Sequence, residues 1–285
     1  MSELELLAEV SRKLGGKIDY IQGGGGNTSL KNTDGLMYVK ASGCTLKDVS
    51  VAKGFVAVNY ALLRNELKSC ETESDYNELL AHSIVDGDNE VRPSIETGMH
   101  ACLGNCVLHT HSVWSNLITC SENGRNIAAA LFPSSIWLDY ATPGVTLARS
   151  VTQLLSGQES RTVFFLQSHG LVVSADSVNE AYDLHEEVNH SIKKFFNLID
   201  ADFDAFKMPK NNVEVTKILF PDQAVYLKSE ELKNTSAAMQ TQLAYLFILK
   251  TLTRVGLSPR FLSDREVEEL IDLDAEKYRR KVALK

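Results

Sequence analysis

The sequence predicts a mixed α/β fold, because segments with helical periodicity and segments with strand periodicity alternate along the chain. The predicted helices repeat apolar residues every three or four positions, and the predicted strands are short apolar runs rich in branched and aromatic residues. The chain has 285 residues, of which 44% are hydrophobic, 17 are glycine and 6 are proline. It can therefore bury a large core, and its composition excludes a disordered or fibrous protein.

The first part of the chain supplies most of this alternation. Residues 3–14 have helical spacing, and Gly15-Gly16 ends the predicted helix. The glycine-rich residues 23–29 predict a loop. The elements expected after this loop are strands at residues 36–40, 55–60 and 106–111 and helices at residues 76–85, 95–103 and 113–119.

A hairpin and a long helix are predicted next. Two strands, residues 162–166 and 171–173, flank the polar turn Gln167-Ser168-His169-Gly170. Residues 177–198 then have the apolar spacing of one amphipathic helix. This pattern completes a main domain in which helices and strands are interleaved.

The C-terminal part is expected to form a small extension. The polar, turn-forming segment Met208-Pro209-Lys210-Asn211-Asn212 predicts a boundary between a main domain, residues 1–207, and an extension, residues 208–285. Within the extension we expect one strand and two helices, at residues 224–227, 236–255 and 264–281 respectively.

The charge balance disfavours nucleic acids and anionic membranes as partners. Lys and Arg number 29 and Asp and Glu number 37, which gives a formal net charge of −8 and a surface that repels phosphate backbones. The first residues, Met1-Ser2-Glu3-Leu4-Glu5, are acidic where a secretory signal is basic, and the longest apolar runs are too short to cross a bilayer. We therefore expect a cytoplasmic protein with no membrane-spanning segment.

The five cysteines lack the density and spacing of a secreted disulfide framework, so free thiols in a reducing compartment are expected. Cys102 and Cys106, with His109 and His111 close by, could form a structural zinc site. However, zinc-binding cysteine pairs are usually separated by two residues. Small buried side chains account better for both cysteines.

The strongest chemical pattern is His109-Thr110-His111 in a predicted strand. Side chains two residues apart project from the same face of a strand, so both imidazoles can reach one metal ion. His169 lies in the polar turn, and three histidines leave a tetrahedral zinc ion with one open position. Glu96, at an otherwise apolar helix start, could serve as a general base or as a temporary fourth ligand.

Packing without metal is the competing interpretation, because a His-x-His pair also occurs by chance. The other histidines have ordinary expected roles: His100 packs, and three lie on polar faces of predicted helices, namely His82, His185 and His190. The polar turn around His169 favours the metal site over packing.

The glycine run ending in Gly26-Asn27-Thr28-Ser29 could cradle an anion such as phosphate, because successive backbone N–H groups can point into one concavity. Ser42-Gly43, after the next predicted strand, has similar chemistry. A flexible hairpin loop is the simpler alternative. The run matches neither a dinucleotide fingerprint nor a Walker loop, so nucleotide binding is not supported.

Five short motifs together resemble the class II aldolase/adducin family, which includes fuculose-phosphate and rhamnulose-phosphate aldolases and ribulose-phosphate 4-epimerase. The resemblance covers roughly residues 5–200 and rests on Gly26-Asn27-Thr28-Ser29, Ala41-Ser42-Gly43, Arg92-Pro93-Ser94-Ile95-Glu96, His109-Thr110-His111 and Ser168-His169-Gly170. The C-terminal motifs Pro221-Asp222-Gln223 and Glu276-Lys277-Tyr278-Arg279 look like the tail that follows the aldolase part of some bifunctional aldolase/dehydrogenase proteins.

The resemblance implies a three-layer α/β/α domain around a mainly antiparallel sheet, assembled as a homotetramer with active sites between subunits. It implies that His109, His111 and His169 hold a zinc ion or another divalent metal, and that Glu96 is the catalytic acid/base. The pocket for the substrate's phosphate would be lined by Gly26, Asn27, Ser42, Gly43 and Ser94.

Two departures from the family pattern concern the substrate. Family aldolases commonly carry a hydroxyl residue just before the glutamate, where this chain has Ile95. Many also supply a tyrosine soon after the histidine pair, but residues 112–132 contain none, and Tyr140 is the nearby candidate. Arg92 could offset a lost phosphate contact, or it could simply be an exposed arginine at a helix start.

The resulting hypothesis is a zinc-dependent aldolase-like lyase that cleaves or forms a carbon–carbon bond in a sugar or sugar phosphate through a metal-stabilised enediolate. A metal-dependent epimerase or dehydratase acting on a related sugar is the enzymatic alternative. A non-catalytic, adducin-like binding module is the alternative from a different class. Retention of three histidines together with Glu96 favours the enzymes.

Overall fold

The computed structural model describes residues 1–86, 91–155, 161–207 and 217–284, without the side chains of Asp86 and Glu230. The described chain is a mixed α/β structure with eight strands in one sheet and twelve α-helices. The strands are β1 Asn27–Lys31, β2 Leu36–Lys40, β3 Phe55–Asn59, β4 Ile84–Asp86, β5 Cys106–Thr110, β6 Ile136–Leu138, β7 Thr162–Leu166 and β8 Gly170–Ala175. The helices are α1 Glu3–Gly15, α2 Tyr60–Glu66, α3 Glu73–Ser83, α4 Thr97–Cys102, α5 Val113–Thr119, α6 Gly124–Leu131, α7 Val145–Leu154, α8 Val178–Phe195, α9 Pro221–Leu227, α10 Ser236–Arg254, α11 Asp264–Asp272 and α12 Asp274–Ala283.

The sheet has the strand order β4-β3-β2-β1-β5-β8-β7-β6. Every neighbouring pair is antiparallel except β6 and β7, which are parallel. β5 therefore lies in the middle of the sheet, between β1 and β8. The predicted mainly antiparallel sheet is confirmed.

Helices cover both faces of the sheet, because the strands are apolar on both sides. In β5, Cys106 and Leu108 join a core with α1, α5, α8 and α10 on one face. Val107 points the other way and joins a core with α4 and α7. This period of two in a fully buried strand produces the predicted α/β/α layering.

The turn between β7 and β8 is the tightest connection near the centre of the sheet. Ser168 has a left-handed backbone with φ of 49°, and its N–H donates to Thr119 O at 2.8 Å. A Cβ added at Gly170 would lie 2.3 Å from Thr110 O, so only glycine fits where β8 meets β5. These contacts fix the direction in which the intervening His169 leaves the sheet.

The predicted loop at residues 23–29 is shorter in the structure, because β1 already begins at Asn27. The pairing of β1 with β5 places Asn27 opposite His109. Asn is uncommon in strand interiors, which is why its propensity pointed to a loop. Strand pairing with the buried β5 overrides that preference.

The strand predicted near residues 224–227 is wrong, since this segment belongs to helix α9. Short apolar runs do not distinguish a buried strand from a buried helix. Here Pro221 occupies the first turn of the helix, and almost every side chain of α9 is buried. The described extension is therefore helical, and it packs on the main domain through contacts such as the Trp114–Phe247 ring pair at 5.2 Å.

The long helix predicted at residues 264–281 is interrupted. α11 ends at Asp272 and α12 begins at Asp274, with Leu273 in an extended conformation between them. The division at residues 207 and 208 stays a prediction, and the polar segment Met208–Asn212 lies outside the described residues. No helix in the described ranges is long and apolar enough to cross a membrane.

One histidine also differs from its predicted environment. His185 was expected on a polar helix face, but it is fully buried and contacts Thr110 Oγ1 at 2.9 Å. The helix α8 packs over β5 at this point, so its buried face includes a polar pair. His100 is buried as predicted and contacts Ser29 Oγ at 2.7 Å.

The packing on the α5 face gives a stability prediction. Leu117 is completely buried, whereas Leu154, at the end of α7, is 43% exposed. Leu117→Ala should lower the free energy of unfolding by about 2–5 kcal/mol, because it leaves a cavity. The matched control Leu154→Ala should change it by less than about 0.5 kcal/mol. Urea denaturation of both variants measures the difference, and equal effects would contradict the described core.

Candidate metal centre and substrate pocket

Three buried imidazoles converge where the middle of the sheet meets the turn between β7 and β8. His109 lies in β5 and His111 directly after it, on the same side of the chain. His169 approaches from the turn. One ring nitrogen of each lies within 4.8 Å of the others, and all three side chains are almost completely buried. The three residues predicted from spacing are therefore brought together.

The hydrogen bonds behind two of these rings leave their inner nitrogens as acceptors. His109 Nδ1 donates to Leu171 O at 3.0 Å, and His111 Nδ1 donates to Asp222 Oδ2 at 2.5 Å. The two Nε2 atoms then face each other at 3.2 Å. Two lone pairs at this distance repel each other unless a cation lies between them, so this donor set fits a divalent metal such as zinc.

Burial also keeps two of the imidazoles, His109 and His169, in the form that binds metal. Burial lowers the pKa of His169 to about 3, and burial lowers the pKa of His109 as well. Both rings are therefore neutral at physiological pH, as metal ligands must be. His109 and His169 could thus bind a metal without first losing protons.

Glu96 lies beside the three imidazoles. Its Oε1 is 3.3 Å from His169 Nε2 and 3.6 Å from His109 Nε2, and it has no hydrogen-bond partner. Burial raises its pKa, whereas positive charge on the imidazoles in their protonated form and the hydrogen bond from the Asn27 amide lower it, and the net direction is a lowered pKa. Glu96 is therefore an ionised carboxylate at neutral pH, with one oxygen free to act.

The position of Glu96 is set by the residues around the start of α4. Asn27 Nδ2 donates to Glu96 Oε2 at 2.5 Å and to Ser94 Oγ at 3.3 Å. The buried Tyr76 donates to Ile95 O at 2.7 Å and accepts from Gly98 N at 2.9 Å. These bonds hold the segment on both sides of the carboxylate.

The glycine run has a steric role at this centre. A Cβ added at Gly25 would lie 2.6 Å from Asp222 Oδ2 and 2.7 Å from His111 Nδ1. Gly26 has φ of 63°, and a Cβ there would lie 2.8 Å from His109 O. Side chains at these two positions would collide with the histidine strand or its carboxylate partner, so the run lets the backbone pass next to the centre.

A pocket opens in front of Glu96 and His169 with a volume of about 30 Å³. All five residues predicted to bind substrate line it, together with the glutamate and two of the histidines; its lining includes Gly26, Asn27, Ser42, Gly43, Ser94, Glu96, His111 and His169. His109 is fully buried behind them. Ile95 also lines the pocket, at the position where a hydroxyl was expected.

Sequence reasoning missed Lys40, although its chemistry marks it. This lysine ends β2 and lines the pocket, with only 3% of its surface exposed. Its Nζ donates to Cys44 O at 2.8 Å and to Gly24 O at 3.3 Å. Burial lowers its pKa to about 8, so it stays mostly charged at neutral pH. A lysine at the end of an apolar strand, just before Ala41-Ser42-Gly43, was the available signal.

A chain of charged groups connects His111 to the C-terminal helix α12, and it was also missed. Asp222, fully buried in α9, accepts from Arg279 Nη2 at 2.7 Å through its second oxygen. Arg279 Nη1 donates to Glu276 at 2.9 Å. The motifs Pro221-Asp222-Gln223 and Glu276-Lys277-Tyr278-Arg279 do not by themselves predict the contacts of Asp222 with His111 and Arg279, because these residues are distant along the chain.

Other candidates lie away from this pocket. Tyr140 does not line it and instead stacks with Arg260, whose guanidinium carbon is 5.4 Å from the ring centre. Arg92 is exposed and lies over the ring of Tyr278 at 5.7 Å. Cys106 is buried and Cys102 partly buried, and neither belongs to the three-histidine group.

The geometry predicts that the histidine pair is required for metal. The double change His109→Ala with His111→Ala removes two of three nitrogen ligands, so bound zinc should fall from about one ion per chain to near zero. Metal analysis of the purified protein measures this. The pair His82→Ala with His190→Ala, at exposed helix positions, is the control and should keep its metal. Equal zinc in both proteins would rule out the centre.

Asp222 should tune the same centre from behind His111. Asp222→Asn weakens the acceptor that orients this imidazole, so zinc affinity should fall by roughly 10- to 100-fold. Competition with a coloured chelator gives the affinity. Asp183→Asn removes an exposed carboxylate on α8 and should leave the affinity unchanged. An unaltered zinc affinity in Asp222→Asn would contradict the proposed coupling.

Several known proteins are similar to this chain in sequence or structure. An uncharacterized oxidoreductase, YuxG, from Bacillus subtilis is 28% identical over 185 residues, which cover 61% of this chain and 27% of that protein. The chain thus matches about a quarter of that relative's length. A class II aldolase domain from Thermoplasma acidophilum is 29% identical with a TM-score of 0.61, covering 68% of this chain and 93% of that chain.

A more distant structure shares the fold. YgbL from Klebsiella pneumoniae, a putative aldolase/epimerase/decarboxylase, is 20% identical with a TM-score of 0.52, and the match covers 71% of this chain and 93% of that chain. Residues 5–195 match the family described as class II aldolase and adducin N-terminal domain, and this segment contains all three histidines and Glu96. The chain therefore belongs to the class II aldolase and adducin family.

Proposed function

We propose that this protein is a metal-dependent aldolase-like lyase, with zinc as its metal, that cleaves or forms a carbon–carbon bond in a sugar or sugar phosphate. One observation carries the proposal. The three-histidine group lies next to an ionised carboxylate, Glu96, whose unpartnered Oε1 faces His109 and His169, and Glu96 also lines a pocket with several polar residues. Ligands, a proton acceptor and a place for substrate are thus within a few ångströms of each other.

The metal and the carboxylate would have separate tasks. A divalent ion held by His109, His111 and His169 would polarise a substrate carbonyl and stabilise the negative charge that builds up beside it. Glu96 would move the proton, because its Oε1 is unpartnered while its Oε2 is held by Asn27. The Asn27 amide thereby fixes which oxygen of the carboxylate can react.

Other residues that line the pocket suit an acidic group of the substrate. Ser42, Gly43 and Ser94 offer hydroxyl and backbone donors there, and Lys40 adds a buried positive charge. Phosphate is bound by such mixtures of backbone and hydroxyl donors with a cation. Lys40 supports this assignment even though Ile95 replaces the expected hydroxyl residue.

An epimerase or a dehydratase acting on a related sugar is the second candidate. Tyr140 does not line the pocket and residues 112–132 contain no tyrosine, whereas an aldolase that follows the family pattern uses a tyrosine as a proton donor. A non-catalytic module is disfavoured, because an unpartnered buried carboxylate and facing imidazole nitrogens cost stability unless they serve a site. Assembly into a homotetramer stays a prediction from the family resemblance.

Glu96→Gln tests the proposed chemistry. The amide keeps the shape of the side chain but cannot accept the proton, so turnover should fall by about a hundredfold or more while zinc stays bound. The assay follows aldehyde release from ketose phosphates, free ketoses and sugar acids, with metal content measured in parallel.

Glu187→Gln removes an exposed carboxylate of α8 and serves as the control, with unchanged turnover expected. Near-normal activity in Glu96→Gln would remove this residue from the proton-transfer role. Isomerised or dehydrated products without aldehyde would favour the second candidate.

A further inference from the structure

The pocket at the candidate metal centre is too small for the proposed substrate. Its volume of about 30 Å³ holds little more than a water molecule. Pockets for small ligands usually measure roughly 300–1,000 Å³. Some element that lines it must therefore move before a sugar phosphate can enter.

Helix α12 lies between this pocket and two larger cavities. Ala275, Glu276 and Arg279 form its contribution to the pocket at the metal centre. On one side α12 also borders a cavity of about 790 Å³, and on another side a cavity of about 190 Å³. Displacing this single helix would join the small pocket to both.

The packing of α12 is suited to reversible docking. Glu276 is the only fully buried side chain among its ten residues, whereas the preceding α11 buries the apolar Val267 and Leu270. A helix whose apolar side chains are only partly buried loses less hydrophobic stabilisation on undocking than one with an apolar buried face. The single residue between the two helices, Leu273, has non-helical backbone angles, and hinges are formed by such residues at the ends of elements.

α12 covers the loop that was assigned to the substrate's phosphate. A Cβ added at Gly43 would lie 3.1 Å from Tyr278 Cε1 and 3.2 Å from Val282 Cγ2. The helix therefore sits directly on the Ser42–Gly43 loop and closes the acidic-group end of the pocket.

Arg279 is the cation that α12 brings to this end. Its guanidinium is paired with Asp222 and Glu276, and its Nε is buried without a hydrogen-bond partner. Its Nη2 also donates to Tyr226 OH at 3.3 Å, and that hydroxyl accepts from Gly24 N, whose carbonyl oxygen accepts from Lys40. Two buried cations thus line the pocket, Lys40 from the sheet and Arg279 from α12.

We propose that α12 is a lid that opens to admit the substrate, and that on closing its Arg279 binds an acidic group of the substrate, replacing Glu276 as the partner of the guanidinium. Asp222 keeps its place, since it also holds His111. Arg279 is then the specificity residue that selects phosphorylated or carboxylated sugars over neutral ones. Both parts rest on the proposed function, but opening of the lid can be measured without a substrate.

Hydrogen exchange tests the lid without any substrate. In the zinc-loaded full chain, amides of α12 should exchange at least about tenfold faster than those of α11, because α12 opens independently. Equal protection of the two helices would overturn the lid, whatever the enzyme's substrate is. Adding dihydroxyacetone phosphate should slow exchange in α12, and dihydroxyacetone should not.

Calorimetry with the same two probes tests Arg279. Wild-type protein should bind dihydroxyacetone phosphate more tightly than dihydroxyacetone, and Arg279→Gln should weaken phosphate-probe binding by about 10- to 100-fold while leaving the neutral probe unaffected. Arg279→Lys should have an intermediate affinity for the phosphate probe, since lysine keeps the positive charge but cannot donate two parallel hydrogen bonds as a guanidinium does. Lys281→Gln, at an exposed position of the same helix, is the matched control and should behave as wild type.

Zinc content and a second variant separate a lost contact from a damaged fold. The double variant Glu276→Gln with Arg279→Gln removes one charge of each sign and should show the same loss with zinc retained. A preserved preference for the phosphorylated probe in both variants would overturn the role of Arg279. If wild-type protein binds neither probe although zinc is bound and α12 is mobile, the proposed substrate class and the role of Arg279 are rejected while the lid stands.

Discussion

The hydrogen bond between His111 and Asp222 is the interaction on which the rest of the site depends, because it joins two distant parts of the chain at one imidazole. His111 follows the central strand of the sheet, whereas Asp222 belongs to the helical extension. The bond sets which ring nitrogen faces inward, and Gly25 must lack a side chain to leave room for it. It also holds the Asp222 carboxylate in place for its ion pair with Arg279. Ligand geometry, glycine run and C-terminal helix are therefore parts of one arrangement.

The candidate centre combines neutral imidazoles with charged carboxylate, lysine and arginine side chains, and the two kinds of group have different roles. Burial favours neutral imidazoles, which suits ligands for a cation, while the adjacent Glu96 remains ionised. Two positive side chains, Lys40 and Arg279, and three negative ones, Glu96, Asp222 and Glu276, line the pocket or contact its lining residues. The group therefore has a small excess of negative charge. A divalent ion would turn this small negative excess into a positive one. An anionic ligand then completes the charge balance, whereas a neutral one does not.

Much of the main domain could be predicted from local pattern, because its strands and helices follow simple periodicities. The alternation in β5 and the turn before β8 were enough to bring His109, His111 and His169 to one place. The C-terminal part was harder. The apolar run in α9 has no periodicity that separates helix from strand, and the break at Leu273 has neither glycine nor proline to mark it. Lys40 and Asp222 were missed because burial and ion pairing depend on tertiary neighbours that spacing alone does not reveal.

The register of the central strands has a consequence for how the centre matures. Asn27 pairs opposite His109 on one side of β5, and Val172 pairs with the same histidine on the other. Because side chains alternate between faces, a slip of one position would turn that imidazole into the opposite layer. A wrongly paired sheet could not assemble the ligand set at all. A bound ion would thus stabilise only the correctly paired sheet.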